Sequence, residues 1–395
     1  MNQRGIALPT ALIALAILLA LMVAFAALSS TEPMIAANHA KSARARALAE
    51  AGIERSLWAS TTGTTSPDTA GTIPETMGTT ADPPYDGSTF VAVDNDGGFL
   101  VRVTHPAAFA ANERKVEAIG WTPNNNTADG RPKGVKKIEA TLIRVKWVDP
   151  KCALCVKGDL EISGNSSVDA RSGQCPGGPA PLGGTMTTGS TDISGNAAAV
   201  YGPGNNTPNE AADIPQGSTQ AGNFTSMTLT DSDLAALKAM AKARGTYYQG
   251  SVTFNSSNPM PSGLVFVDTT TGAPFTQTTA DTEAGVASIS GTINFSGWLV
   301  VAGSININGN VTMTGLVYAQ NDISYRGTGT GSITGAVISE NKKYTQSTRV
   351  NTADGDLSGN ARIRYDCQAV RDGGGTLQAW WVKQGTYREI EGQAF

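Results

Sequence analysis

At 395 residues the chain exceeds what one ordinary domain needs, so two domains plus an anchor are a better starting point than a single core. Charged residues make up only 16% and glycine fills 45 positions, with long runs of Ser, Thr and Asn; this excludes helical bundles and favours turn-rich β-structure. The net charge of −4 is too small to imply a nucleic-acid partner, and no basic stripe interleaved with aromatics is evident.

Residues 6–28 carry no charge. That run is longer than the ~7–15 apolar residues of a discarded secretion signal and long enough to span a bilayer, for which ~20 suffice. Ser29-Ser30-Thr31-Glu32 closes it, and the five residues before it carry one basic side chain, Arg4, and end in Gly5. Positive-inside logic keeps that end in the cytoplasm and exports the rest. Pro33 is expected to kink the helix rather than end it. Beyond it the chain is rich in Ala, Leu, Arg and Glu, with Ala43, Ala47, Ala51 and residues 53–57 expected to form a small-residue apolar face. A continuous helix over 6–59 would be roughly 80 Å long.

The leader ending in Gly5, the apolar run starting at Ile6 and the continuation ARALAEAGIERSLW together resemble the class III signal of type IV pilins. The last stretch is most similar to PilX-type minor pilins, and the resemblance covers about the first sixty residues. It implies that a prepilin peptidase cuts between Gly5 and Ile6, removing residues 1–5, and methylates the new N-terminus. It further implies that the helix first anchors the chain in the inner membrane, C-terminus outside, and later packs in a filament core among other pilin subunits and the assembly machinery. One position departs from the family. Where major pilins carry a Glu that neutralises the neighbouring subunit's N-terminal ammonium, this chain has Thr10, preceded by Pro9. An unpaired charge in an apolar core costs several kcal/mol, so the missing carboxylate implies a place with no neighbour ahead, at the filament tip. A plain membrane anchor that never polymerises is the other reading.

Residues 60–150 form the next unit. An extended loop rich in Thr, Gly and Pro over 60–90 precedes three alternating stretches, 99–103, 115–121 and 135–145, read as an antiparallel meander covered by the amphipathic half of the helix. Asp94-Asn95-Asp96-Gly97 has oxygens that could chelate calcium, but it lacks the later ligands of a known loop and reads as a hairpin turn.

Within 151–370 a phrase recurs: Ile162-Ser163-Gly164-Asn165, Ile193-Ser194-Gly195-Asn196, Ile307-Asn308-Gly309-Asn310 and Leu357-Ser358-Gly359-Asn360. In the best-preserved part Gly297, Gly315 and Gly335 recur at spacings of 18 and 20, each between two short strands, which matches one coil of a parallel β-helix per unit. Val300, Val317 and Val337 are expected to stack as an inner apolar column, with Asn ladders at the corners. A β-sandwich is the alternative architecture. Residues 231–244, preceded by Thr230 and followed by Gly245, read as an amphipathic helix lying against or capping the coil. Residues 371–395 complete the chain as C-terminal strands or tail. The fold class is thus α+β: a long helix on an antiparallel sheet, then a mainly-β domain.

Chemistry is sparse. Cys152 and Cys155 have redox or metal spacing, but zinc would need a second such pair, and Cys175 and Cys367 are not so spaced. Disulfides outside the cytoplasm are favoured; Cys175 or the 152/155 pair could bridge to Cys367, and the sequence leaves the pairing open. His39 and His105 lack neighbours suited to nucleophilic catalysis, and Asp322 and Arg326 are too scattered for a polysaccharide-cleaving groove. The chain is therefore expected to be no enzyme, to need no cofactor or metal, and to act as a minor or tip subunit in assembly priming and surface adhesion, with a surface or polysaccharide as ligand. The alternative is a membrane-anchored β-helix protein that binds or degrades polysaccharide without polymerising.

Overall fold

The structure, a computed structural model, describes residues 7–62, 73, 81–109, 112–130, 133–145, 148–172, 180–195, 197–343, 353–374, 380–392 and 394–395. Most of the loop expected over 60–90 therefore lies outside the described residues. Two compact units form: Met1–Ile143 with Trp380–Phe395, and Arg144–Ala379.

In the first unit, α1 (Ala7–Thr62) runs unbroken through Pro33. The meander consists of β1 (Val91–Asp94), β2 (Gly97–Thr104), β3 (Glu113–Thr122) and β4 (Gly134–Ile143), paired antiparallel in chain order. Its core combines Phe99, Val101, Val116, Ala118, Ile138 and Leu142 with Ala49 and Ile53 of α1. The buried stripe of α1 is Ala45, Leu48, Ala49, Gly52, Ile53, Ser56 and Ala59, whereas Ala43 and Ala47 are exposed. The expected face therefore holds at Ile53, with Ala51 and Leu57 half-buried against the core, and fails at Ala43 and Ala47, which lie nearly half a helical turn away. Bulky Leu48 and Ile53 set the rotation, because burying each is worth about 1.5–3 kcal/mol and burying an alanine far less. Glycines let the helix approach closely: a Cβ on Gly120 would stand 1.9 Å from the Ala45 carbonyl oxygen. Two short segments after the second unit, Trp381–Val382 and Arg388–Ile390, return to pair antiparallel with β4. The second unit is thus an insertion between neighbouring strands of the first unit's sheet.

The second unit is one 15-stranded sheet whose pairings are all parallel. Its strands are β5 (Cys152–Val156), β6 (Leu160–Ile162), β7 (Ser167–Asp169), β8 (Gly183–Thr187), β9 (Thr191–Ile193) and β10 (Ala199–Tyr201), then β11 (Tyr247–Gln249), β12 (Ser251–Phe254) and β13 (Gly263–Asp268). They continue with β14 (Gly285–Val301), β15 (Gly303–Ala319), β16 (Ile323–Gly327), β17 (Ile333–Ser339), β18 (Gly355–Gly359) and β19 (Arg362–Tyr365). Every residue of β14 pairs with the one 18 further on in β15, from Gly285–Gly303 to Val301–Ala319.

The chain does not stack in its own order. β17, β18 and β19 pair with β5, β6 and β7, which pair in turn with β8, β9 and β10. The spatial succession of turns is therefore 183–201, 152–169, 336–365, 316–335, 298–315, 264–297 and 247–263, with the first and last turns of the chain as interior neighbours. The jump from 201 to 247 is carried by α2 (Ala221–Met227) and α3 (Asp231–Arg244). Helix α3 has the expected start and stop: Thr230 and Asp233 form a reciprocal capping box, and Gly245 adopts the left-handed conformation at the other end.

Two glycine ladders mark the corners. Gly263, Gly297, Gly315 and Gly335 pair in succession, as do Gly291, Gly309, Gly327 and Gly359. Gly164 and Gly195 extend the second ladder, so the recurring phrase marks one glycine ladder of the parallel sheet. The Asn165 amide donates to the Asn360 side-chain oxygen at 3.3 Å, one rung of the expected ladder. The apolar column differs from expectation by one residue: Val317 and Val337 pair in line with Leu299, while Val300 pairs with Tyr318 and Ile338. Counting from Gly297, position 299 and not 300 points inward, since side chains alternate along a strand.

Val300, Tyr318 and Ile338 are nonetheless buried on the outer surface. The apolar runs WLVV, LVYA and AVIS are covered on both faces, as in parallel sheets flanked by helices. The Leu229 backbone N–H, between α2 and α3, donates to the Tyr318 hydroxyl at 2.9 Å, and that hydroxyl donates to Glu340. Helix α4 (Cys367–Gly374) lies where the reading began the C-terminal strands; it packs on β14 and β15, and Trp298 Nε1 donates to the Val370 carbonyl at 2.7 Å.

A Cβ on Gly315, whose φ is 124°, would stand 2.0 Å from the Gly297 carbonyl oxygen. Gly315→Val should destabilise the second unit by about 3 kcal/mol through backbone strain and ladder disruption. A shift of the denaturant midpoint of the full chain in detergent measures it.

Candidate assembly helix and its charged sheet face

The N-terminal half of α1 carries most of the exposed large apolar side chains among the described residues. Leu8–Ala26 has mean hydropathy 2.6 and none of it is buried; Leu8, Met22 and Phe25 are 74%, 69% and 70% exposed. By length and composition this stretch can cross a membrane, at about 28 Å for 19 residues. A contiguous apolar surface of this size requires lipid or protein as cover. Thr10 sits exposed in it, near the N-terminal end of α1, and His39 is exposed further along. Gly5 and Ile6, the expected cleavage pair, lie outside the described residues.

The sheet face opposite α1 carries a row of charges that the sequence reading missed. Arg102, Glu117, Glu139 and Arg388 stand directly opposite one another across four strands. Two carboxylates facing each other would repel. The flanking cations offset this: Glu117 receives Arg102 at 2.6 Å and Lys137 at 3.0 Å, and Glu139 receives Lys115 at 2.8 Å and Arg388 at 2.6 Å. The Phe395 ring lies over Arg102 and Lys137, 4.8 and 5.4 Å from its centroid. Burial opposes ionisation of both carboxyls, but the hydrogen bonds and charges of these cations outweigh it and hold both below the usual carboxylate range. The alternation of charged and apolar residues in 114–118 and 136–140 was a visible signal; the return of residues 388 and 395 was not.

Asp94 and Gly97 close the β1–β2 hairpin. The Asp96 N–H donates to Asp94 at 2.9 Å and Arg44 pairs with it at 2.5 Å, which together lower its pKa. The oxygens considered for calcium thus belong to a turn tied to α1. His105 follows β2. In the second unit, Asp322 is buried beside the Asn321 amide, which donates to it at 3.1 Å, and Arg326 is exposed on β16, so the structure does not bring them into one groove.

Cys152 and Cys155 are bridged to each other, with Cα atoms 5.7 Å apart, which removes them as partners for Cys367. Cys367 is itself disulfide-bonded, and Cys175 lies outside the described residues.

No family model matches the chain, and no curated protein matches it. Among solved structures it is similar to the competence-associated pilin ComZ from Thermus thermophilus, at 11% identity and a TM-score of 0.24, covering 89% of this chain and 97% of that one. That score is too low to equate the two folds.

Because Glu117 and Glu139 have depressed folded values, their stabilisation is full above the ordinary pKa of 4.5 and is lost as the pH falls through the lower folded values. Thermal unfolding followed from pH 7 to pH 2 should show the loss concentrated below pH 4.5. Glu117→Gln should flatten that acid limb and cost about 2 kcal/mol at pH 7, since Arg102 and Lys137 lose their shared anion. For the cysteines, a tryptic digest without reductant should release peptide 152–157 two hydrogens lighter than its reduced form, joined to no other peptide.

Proposed function

We propose that this chain is a pilin-like subunit of a type IV pilus or related pseudopilus, serving as a minor or tip component in assembly priming and surface adhesion. The observation that carries the reading is α1: its first half is apolar and uncovered by its own chain, and its second half is clamped beneath an antiparallel sheet. Such a helix suits lipid before assembly and neighbouring pilin helices after it. In this reading prepilin peptidase cuts after Gly5 on the cytoplasmic side, Ile6 becomes the methylated N-terminus, and the chain moves from the inner membrane to the pilus or cell surface. Thr10 cannot supply the charge that pairs with a neighbour's ammonium, which favours the tip over the shaft.

The second unit is read as a β-helix displayed for adhesion. Its parallel turns at a spacing of 18 residues and its glycine-lined corners support that architecture. Outward columns such as Thr253, Ser288, Asn306 and Ser324 offer small polar groups in register for extended contact. Function then resides in packing and display, without catalysis, cofactor or metal.

N-terminal sequencing of the mature chain from its native host should give methylated Ile6; a chain starting at Met1, or cut near Ser29, would sink the reading. Thr10→Glu should raise the number of subunits per purified filament, counted by quantitative immunoblot. Unchanged stoichiometry would count against a tip placement that depends on the missing carboxylate.

A further inference from the structure

Helix α3 and the outer surface of the coil enclose a half-open pocket of about 100 Å³. Leu234 and Ala235 of α3, Phe266 of β13, Phe275 and Ala302 make it chiefly apolar, and Gln320 and Asp268 are its buried polar members. Gln320 is 2% exposed, and its side-chain amide nitrogen has no hydrogen-bond partner. A buried amide donor is normally satisfied, so an unmatched one lining an apolar pocket asks for an acceptor. The other polar groups are already committed. Asp268 accepts from the Thr269 N–H at 2.8 Å and from the Tyr247 hydroxyl at 2.9 Å and is paired with Lys238, which also donates to the Gly272 carbonyl. At the mouth Asp231 is 84% exposed, 3.7 Å from the Lys342 ammonium.

From this arrangement we infer that the pocket binds the acetamido group of an N-acetylated sugar. At about 30 Å³ per small group, 100 Å³ holds roughly three or four non-hydrogen atoms, which admits an acetamido group and excludes a whole hexose ring. The methyl would lie against Leu234, Phe266 and Phe275. The carbonyl would accept from the Gln320 amide nitrogen. The ring would stay at the open mouth, where Asp231 and Lys342 face its hydroxyls. A dehydrated apolar pocket with one amide donor discriminates against amino or hydroxyl substituents at the same sugar position, because neither fills the methyl's place. The Asp231 carboxylate and Lys342 ammonium at the rim suit ring hydroxyls, which favours a sugar over an acetylated peptide. The inference specifies the ligand for the proposed adhesive role and rests on that reading for its biological sense.

The test is isothermal titration of the full chain in detergent with N-acetylglucosamine, glucosamine and glucose, alongside a peptide containing acetyl-lysine. N-acetylglucosamine should bind at least tenfold more tightly than the other three. Gln320→Met, of similar shape, should reduce that affinity at least tenfold while circular dichroism and the unfolding midpoint stay close to those of the parent. Ala235→Leu, which fills the pocket from the helix side, should reduce it similarly. No binding of N-acetylglucosamine, equal binding of glucose, tighter binding of the acetylated peptide, or full affinity in Gln320→Met would each overturn the inference. Filament incorporation is scored separately: a chain that enters filaments but ignores the sugar defeats the pocket alone, and one that binds the sugar but keeps Met1 defeats the assembly reading alone.

Discussion

The pairing of Trp381 with Ile143 governs how the rest of the chain can be arranged. Because those residues are neighbours on adjacent strands, the 236-residue unit between them must begin and end at nearby points. A coil wound simply from one end to the other would leave its beginning and end a full stack apart. This chain meets the constraint by starting one turn in from an edge, winding outward through 183–201, crossing by α2 and α3 to the far end, and winding back until β17, β18 and β19 seat against β5, β6 and β7. Polar contacts tie the joint: the Tyr365 hydroxyl donates to the Pro150 carbonyl at 2.6 Å, and Arg371 pairs with Asp149 at 3.0 Å.

The two halves of α1 illustrate a separate division of labour. Small residues and the glycine at 120 let its second half approach the sheet, and Leu48 and Ile53 fix its rotation. Its first half contributes nothing to that core. The charged row on the other sheet face is satisfied within the same unit and recruits the last residues of the chain to cover it, so the sheet is finished only when the C-terminus has returned.

Much of this was legible in the sequence because backbone geometry writes itself into glycine. The phrase around Gly164, Gly195, Gly309 and Gly359, and the series Gly297, Gly315 and Gly335, recur because a Cβ at these corners would meet the carbonyl of the turn below. The meander and α3 were legible through alternation and capping. What could not be read depended on contacts between distant segments. The returning strands at 381–382 and 388–390 are too short to carry a pattern, and the seating of the last turn on the first has no local trace. The column error at Val300 arose because its strand is apolar on both faces, so hydrophobicity could not say which residue points inward. The pocket gathers residues from α3, β13 and the segment after β15, and the only clue to Gln320 is its burial, which no single segment reveals.

Entering and leaving the stack at interior turns also affects how it withstands pulling. Peeling a stack of strands needs a chain end at the edge, and here the outermost turns, 183–201 and 247–263, are both interior to the chain. A pull transmitted along the backbone arrives at 144 and 379, beside turns held by neighbours on both sides, so the strands there must slide past one another together. A stack loaded in shear at interior turns resists better than one unzipped from its rim.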